Sequence, residues 1–164
     1  MSTRKERAMG ELINDIDIAV AAWHEDGKWT VDELPDAQDI PGVIEALKAQ
    51  ASNGGALALL AVDEEFFMIV RVLGAHISLF LSDATCALDY ECAQDILELL
   101  DIDAPEEDDE PSPAGNLDLL ADIGMSQMEL ETLCDDEELF PDEQLEAVAN
   151  RLGFGHEFAE LLEL

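Results

Sequence analysis

From Ile16 to Val20 the chain alternates, with Ile16, Ile18 and Val20 apolar and Asp17 and Ala19 between them. A period of two predicts a strand with one face buried. His24-Glu25-Asp26-Gly27 follows, and Asp-Gly is a hairpin signal because glycine accepts the positive φ that a tight turn needs. Trp29 and Val31 then alternate with Thr30 and Asp32, a second strand. Pro35 and Pro41 bracket a loop. Ile40, Val43, Ile44 and Leu47 fall at i, i+3, i+4 and i+7, the stripe of an amphipathic helix that ends at Asn53-Gly54-Gly55.

The pattern then becomes denser. Leu57 to Val62 is continuously apolar, Phe66 to Leu73 is apolar except for Arg71, and Ile77 to Leu81 is mostly so. Runs of this kind predict strands covered on both faces. The connections Asp63-Glu64-Glu65 and Gly74-Ala75-His76 are short enough for hairpins. Cys86, Tyr90, Ala93, Leu97 and Leu100 recur at three or four residues and predict one further helix over the sheet. The order β-β-α-β-β-β-α predicts an α+β fold with a five-stranded, mostly antiparallel sheet and helices packed on it. Profilin-like and longin-like domains, which serve as binding scaffolds, share that order.

Residues 101–115 carry seven acidic residues and three prolines, with Ile102 as the last large apolar side chain, and predict an extended acidic linker. Beyond it, Leu117, Leu120 and Ile123 stop at Gly124. Ser126 and Glu129 have capping-box spacing. Pro141 leads into Leu145, Val148 and Leu152 before Gly153, and Phe154, Phe158 and Leu161 mark a last helix. The predicted organisation is an N-terminal arm at 1–14, a sheet domain at 15–100, the linker at 101–115 and a small helical region at 116–164.

Charge narrows the partners. Forty acidic residues face seven basic ones, a formal net charge of -33. Arg4, Lys5 and Arg7 lie in the arm, which leaves Lys28, Lys48, Arg71 and Arg151 for the rest. Binding nucleic acid by phosphate neutralisation, or an anionic membrane surface, needs far more cations. A basic protein surface is the complementary partner, and the same charge also confers solubility.

Candidate chemistry is sparse. Cys86, Cys92 and Cys134 are odd in number and form no C-x-x-C, which fits reduced thiols in the cytoplasm rather than a disulfide framework. The N-terminus has no apolar stretch of signal-peptide type, and the longest apolar run, Ala56 to Val62, is too short to span a bilayer. His24, His76 and His156 lie far apart in the sequence without ligand spacing, so neither a metal nor a cofactor is expected. Asp15-Ile16-Asp17 and Asp101-Ile102-Asp103 lack the glycine and closing Glu of a calcium loop. The chain has no phosphate-binding glycine loop, no nucleophile elbow and no zinc-deaminase ligand set. It reads as a protein that is not an enzyme.

Two stretches carry a resemblance. One is Ile77 to Asp101, centred on Leu79-Phe80-Leu81-Ser82-Asp83-Ala84. The other is Gly115 to Phe154, with Asp118-Leu119-Leu120-Ala121-Asp122 and the ending Arg151-Leu152-Gly153-Phe154. Together with Asp26-Gly27 and Trp29, they resemble the actinobacterial tRNA adenosine deaminase-associated proteins over roughly residues 16–160. The resemblance implies no catalytic residues. It implies an accessory or regulatory role beside the deaminase, whose tRNA-binding surface must be basic. The alternative is a general interaction module for another basic partner, unrelated to tRNA editing. The acids expected to make contact are Glu106, Glu107, Asp108, Asp109 and Glu110 in the linker, with Asp135, Asp136, Glu137 and Glu138 in the helical region.

Overall fold

The structure, a computed structural model, describes residues 16–25, 28–34, 39–50, 55–136 and 138–162. The arm at 1–14, the Asp26-Gly27 turn, Pro35, Asn53-Gly54 and Glu137 lie outside these residues. Strands β1 (Ile18–Glu25), β2 (Lys28–Glu33), β3 (Ala56–Val62), β4 (Phe66–Leu73), β5 (His76–Leu81) and β6 (Ala114–Gly115) form one sheet. Its order is β2-β1-β3-β4-β5-β6, with every neighbouring pair antiparallel. The α+β class and the antiparallel sheet agree with the sequence reading, but among the described residues the strands number six rather than five.

The central strands are buried on both sides. Ala56, Ala58, Leu60 and Val62 of β3, with Met68, Val70 and Val72 of β4, join one core cluster. Their alternates Leu57, Leu59, Ala61, Phe67 and Ile69 join a second cluster. Helices α1 (Ile40–Gln50) and α2 (Glu91–Leu99) cover the first face, through Ile40, Val43, Ile44 and Leu47 and through Ala93, Ile96 and Leu97. Helices α3 (Gln127–Cys134), α4 (Pro141–Leu152) and α5 (Gly155–Leu162) cover the second, through Leu130, Leu145, Val148, Leu152 and Phe158. Each of the large aliphatic and aromatic side chains among them, fully buried, contributes about 1.5–3 kcal/mol. The chain therefore folds as helices, sheet and helices in three layers.

Three local readings change. The alternation from Ile16 predicted a half-buried β1, but Val20, Ala21 and Ala22 are all buried, because the face of Ala19 and Ala21 that the pattern left to water packs in the core under α1 and α2. The second helical stripe is split into a 3-10 turn at Ala84–Leu88 and then α2. Asp83 caps the turn by accepting from the Thr85 N–H at 2.9 Å and the Thr85 hydroxyl at 2.6 Å. The segment read as all linker ends in β6, where Ala114 and Gly115 pair with Leu81 and Phe80. Gly115 has φ 107°, and a Cβ there would stand 2.2 Å from the Leu79 carbonyl oxygen, so this edge admits only glycine.

Arg71 breaks the apolar run of β4 and lies on the face covered by the C-terminal helices. It is 6 % exposed. Its Nη1 donates to the Leu119 carbonyl at 2.8 Å and also to Asp122, and its Nη2 donates to Asp122 Oδ2 at 3.0 Å. A buried guanidinium needs such partners. The hydrogen bonds from Arg71 hold the Asp122 carboxyl below the usual carboxylate range.

Because that folded-state value is lowered, the contribution is present above the ordinary carboxylate range and is lost as pH falls through the lowered value. Asp122→Asn is expected to destabilise the protein at pH 7 by about 1–2 kcal/mol, an amount limited by the exposure of the carboxylate. Urea titrations from pH 7 to pH 2 should show the gap between the two proteins closing on acidification. A gap independent of pH would mean that the ion pair does not hold the helices.

Candidate functional site

One end of the sheet gathers the acids. Here β3 turns into β4, β5 ends, β1 begins and α4 starts. The β3–β4 turn is Asp63-Glu64-Glu65, closed by the Glu65 N–H donating to the Val62 carbonyl at 2.9 Å. Asp63 and Glu64 have φ of 53° and 57°, the mirror-image turn that suits the twist of a hairpin. Asn-Gly is the usual sequence there, and each non-glycine residue held at positive φ costs on the order of 1 kcal/mol. The Asp17 carboxylate accepts from the Asp63 N–H, and the Tyr90 hydroxyl donates to Asp63 Oδ2 at 3.0 Å.

Two clefts open on this end. The first, about 450 Å³, is lined by Asp17, Ile18, Ala61, Asp63, Glu64, Pro141 and Asp142. The second, about 300 Å³, runs between the β3–β4 turn and the loop before α4. Its charged side chains among the described residues are Glu64, Glu65, Asp83, Asp135 and Asp136, with neither Lys nor Arg. Glu64 and Pro141 belong to both, so the two make one continuous surface bearing eight different carboxylates. Pro111, Ser112 and Pro113 also line the second cleft, as does Phe140, 57 % exposed.

The expected contact residues are distributed unevenly. Asp135 and Asp136 line the groove. Glu138 is exposed beside it, its N–H donating to Asp136 Oδ1 at 3.1 Å. Glu106, Glu107, Asp108, Asp109 and Glu110 are exposed but do not line the groove, which begins one residue later at Pro111. Asp109 holds their turn by accepting from the Glu106 N–H at 2.8 Å. Glu64, Glu65 and Asp83 were not among the expected contacts. The signal for Glu64 and Glu65 was the run of three acids in a hairpin connection where glycine or asparagine is the ordinary choice; Asp83 is placed by its capping of the turn after β5.

Helices α3 and α4 bound a third cleft, about 440 Å³, lined by Met125, Ser126, Met128, Glu129, Thr132, Leu133, Asp136, Ala147 and Arg151. Ser126 and Glu129 form the expected capping box: Ser126 Oγ accepts from the Glu129 N–H at 3.2 Å and Glu129 Oε1 from the Ser126 N–H at 3.0 Å. Glu129 also pairs with Arg151, and these contacts lower its carboxyl to about 2.

None of the thiols is poised as a nucleophile. Burial, then Asp135 and Glu131, pushes Cys134 up to about 12. Burial is also the main cause at Cys92, raised to about 12, and it raises Cys86 too, with Asp83 and Glu65 adding to it. Among the described residues no group of three His, Cys, Asp or Glu could hold a metal ion.

The family model described as Rv3753c-like tRNA adenosine deaminase-associated protein matches residues 17–155. The chain belongs to this family. It is 38 % identical over 149 residues to Protein Rv3753c of Mycobacterium tuberculosis, covering 88 % of this chain and 86 % of that protein. No solved structure matches. The matched segment begins at Asp17, in the first acidic cleft, and takes in the whole acid-bearing end of the sheet. Among the described residues, no helix is long and apolar enough to cross a membrane.

Two outcomes test this site. Glu64→Gly relieves one positive φ and is expected to raise stability by about 1 kcal/mol in thermal melts. A lower melting temperature would show that the Glu64 side chain makes a stabilising contact. Raised thiol values leave little thiolate at pH 8, so alkylation of Cys134 by iodoacetamide should be far slower in the folded protein than in urea. Equal rates by mass spectrometry would show a reactive thiol in the groove.

Proposed function

We propose that the protein is a non-catalytic accessory protein that receives a basic partner surface on its acid-lined end, and that the partner is a tRNA adenosine deaminase. The observation that supports this reading is the continuous surface of eight carboxylates, with no Lys or Arg lining it among the described residues. The family's name supplies the partner. An enzyme that binds tRNA must offer cations to phosphates, and a fixed array of carboxylates competes for the same cations. The β3–β4 turn adds support, since it keeps Asp63 and Glu64 at positive φ where Asn-Gly fits at less strain. The protein acts in this reading by occupying or stabilising the tRNA path of its partner, in the cytoplasm and without touching RNA itself.

Calorimetry with the deaminase of the same organism, at low and high salt, tests the proposal. Binding should weaken with salt, and tRNA should compete. Reversing Glu64, Glu65, Asp135 and Asp136 to Lys should weaken binding by at least about tenfold, or 1.4 kcal/mol. Reversing Glu106 to Glu110 should weaken it less. No binding at low salt, or binding indifferent to both sets of reversals, sinks the reading. Recovery from lysate of a different basic protein would favour the general interaction module.

A further inference from the structure

The acidic groove does not end at acids. Asp136 lines it on one side and lines the cleft between α3 and α4 on the other, so the two are contiguous. The second cleft differs in chemistry. Its surface is mainly apolar, from Met125, Met128, Leu133 and Ala147, and Arg151, its one cation among the described residues, is already paired with Glu129. Met128 is 75 % exposed, the most exposed large apolar side chain among the described residues, and Phe140 in the adjoining groove is next at 57 %. Both are placed by strong helix starts. The Ser126–Glu129 capping box fixes the first turn of α3, which carries Met128, and Pro141 with Glu143, which accepts from the Phe140 N–H at 2.9 Å, fixes α4 beside Phe140. Exposed methionine in a groove between helices suits adaptable packing against a partner helix.

We propose that this composite groove binds a two-part segment of a partner protein: a short amphipathic helix whose apolar stripe lies between α3 and α4, continued by a run of Lys or Arg over Asp136 into the acid-lined groove. Charge complementarity selects this occupant. Among the described residues, the apolar end carries a net of one negative charge from Glu129, Asp136 and Arg151, whereas the far end presents five carboxylates and no cation. Helix α3, with eight residues, is about 12 Å long, which matches two to three turns of a bound helix. A second copy of the chain, with its own net charge of -33, is the wrong sign for the acidic end. The proposal deepens the partner-binding reading and rests on it only for the origin of the segment. Its energetic consequence is a split: the acids govern attraction at low salt, and Met128 supplies a part that salt does not screen.

The probe is a fluorescent designed peptide, two to three helical turns with leucines at i, i+3, i+4 and i+7 followed by four lysines, titrated into the full-length protein. It should bind one to one. Met128→Glu should weaken binding about tenfold at both low and high salt, whereas Asp135→Asn with Asp136→Asn should weaken it at low salt and little at high salt. Met128 is exposed, so its variant should keep the wild-type melting temperature, and Met128→Leu should restore binding. A peptide with the lysines replaced by serine, or with the leucines scrambled, should bind at least tenfold more weakly. Equal binding to wild type and Met128→Glu overturns the proposal, as does loss of salt dependence in the wild type. Sedimentation showing that the protein alone dimerises through Met128 would replace the partner by a second copy and also overturn it. The readout contains no deaminase, so a deaminase that fails to bind leaves these outcomes intact.

Discussion

Strands β3 and β4 bear large apolar side chains on both faces, and neither face can be left to water. Leu60 and Met68 point one way while Leu59 and Ile69 point the other. A sheet of this kind is stable only as the middle of a sandwich. The first cover comes from α1 and α2, which lie between and directly after the strands. The second comes from the far end of the chain, so the acidic stretch after α2 must carry the backbone across one edge of the sheet. It does so by lending Ala114 and Gly115 to that edge as β6. The position of the acidic groove follows, because its walls are the strand ends, the segment that crosses beside β5, and the start of α4.

Much of this was legible as pattern. Ile40, Val43, Ile44 and Leu47 form one helical face and are all buried. Ser126 with Glu129, Pro141 and Gly153 mark real helix boundaries, with Gly153 at φ 110°. What escaped the sequence depended on distant partners. Trp29 lies on an edge strand, yet its indole N–H donates to the Leu152 carbonyl at 3.1 Å and its ring stands 4.7 Å from that of Phe154. No local periodicity encodes a contact between residues more than a hundred positions apart. The two-residue β6 was invisible because its neighbours are prolines and acids. The break before α2 was invisible because Cys86 and Tyr90 keep helical spacing across it, while Asp83 draws the first turn into 3-10 form.

The candidate site was legible in sign and only partly in place. A chain with this excess of acid had to present carboxylates, but composition cannot say which of them the fold lines up. The densest run, Glu106 to Glu110, stands out in solvent, and the groove is built from shorter groups in turns and caps. The reason is geometric. A concave surface needs walls, and walls come from strand ends and helix starts. The apolar cleft between α3 and α4 was harder still to foresee, since Met128 occupies a helix position that the stripe of Leu130 and Leu133 leaves facing outward.

The guanidinium of Arg71 has a consequence during synthesis. A ribosome adds about 5–20 residues each second, so the strands are complete for several seconds before the C-terminal helices have been made. Through that interval Phe67, Ile69 and Phe80 form a bare apolar wall, the kind of surface on which nascent chains stick to one another. A fixed cation in the middle of that wall, on a chain whose other charges are overwhelmingly negative, interrupts the stretch and resists burial against a wrong partner. It accepts burial once the Leu119 carbonyl and Asp122 arrive together. The same side chain that fastens the finished sandwich is thus the charged break in the face that the last helices cover.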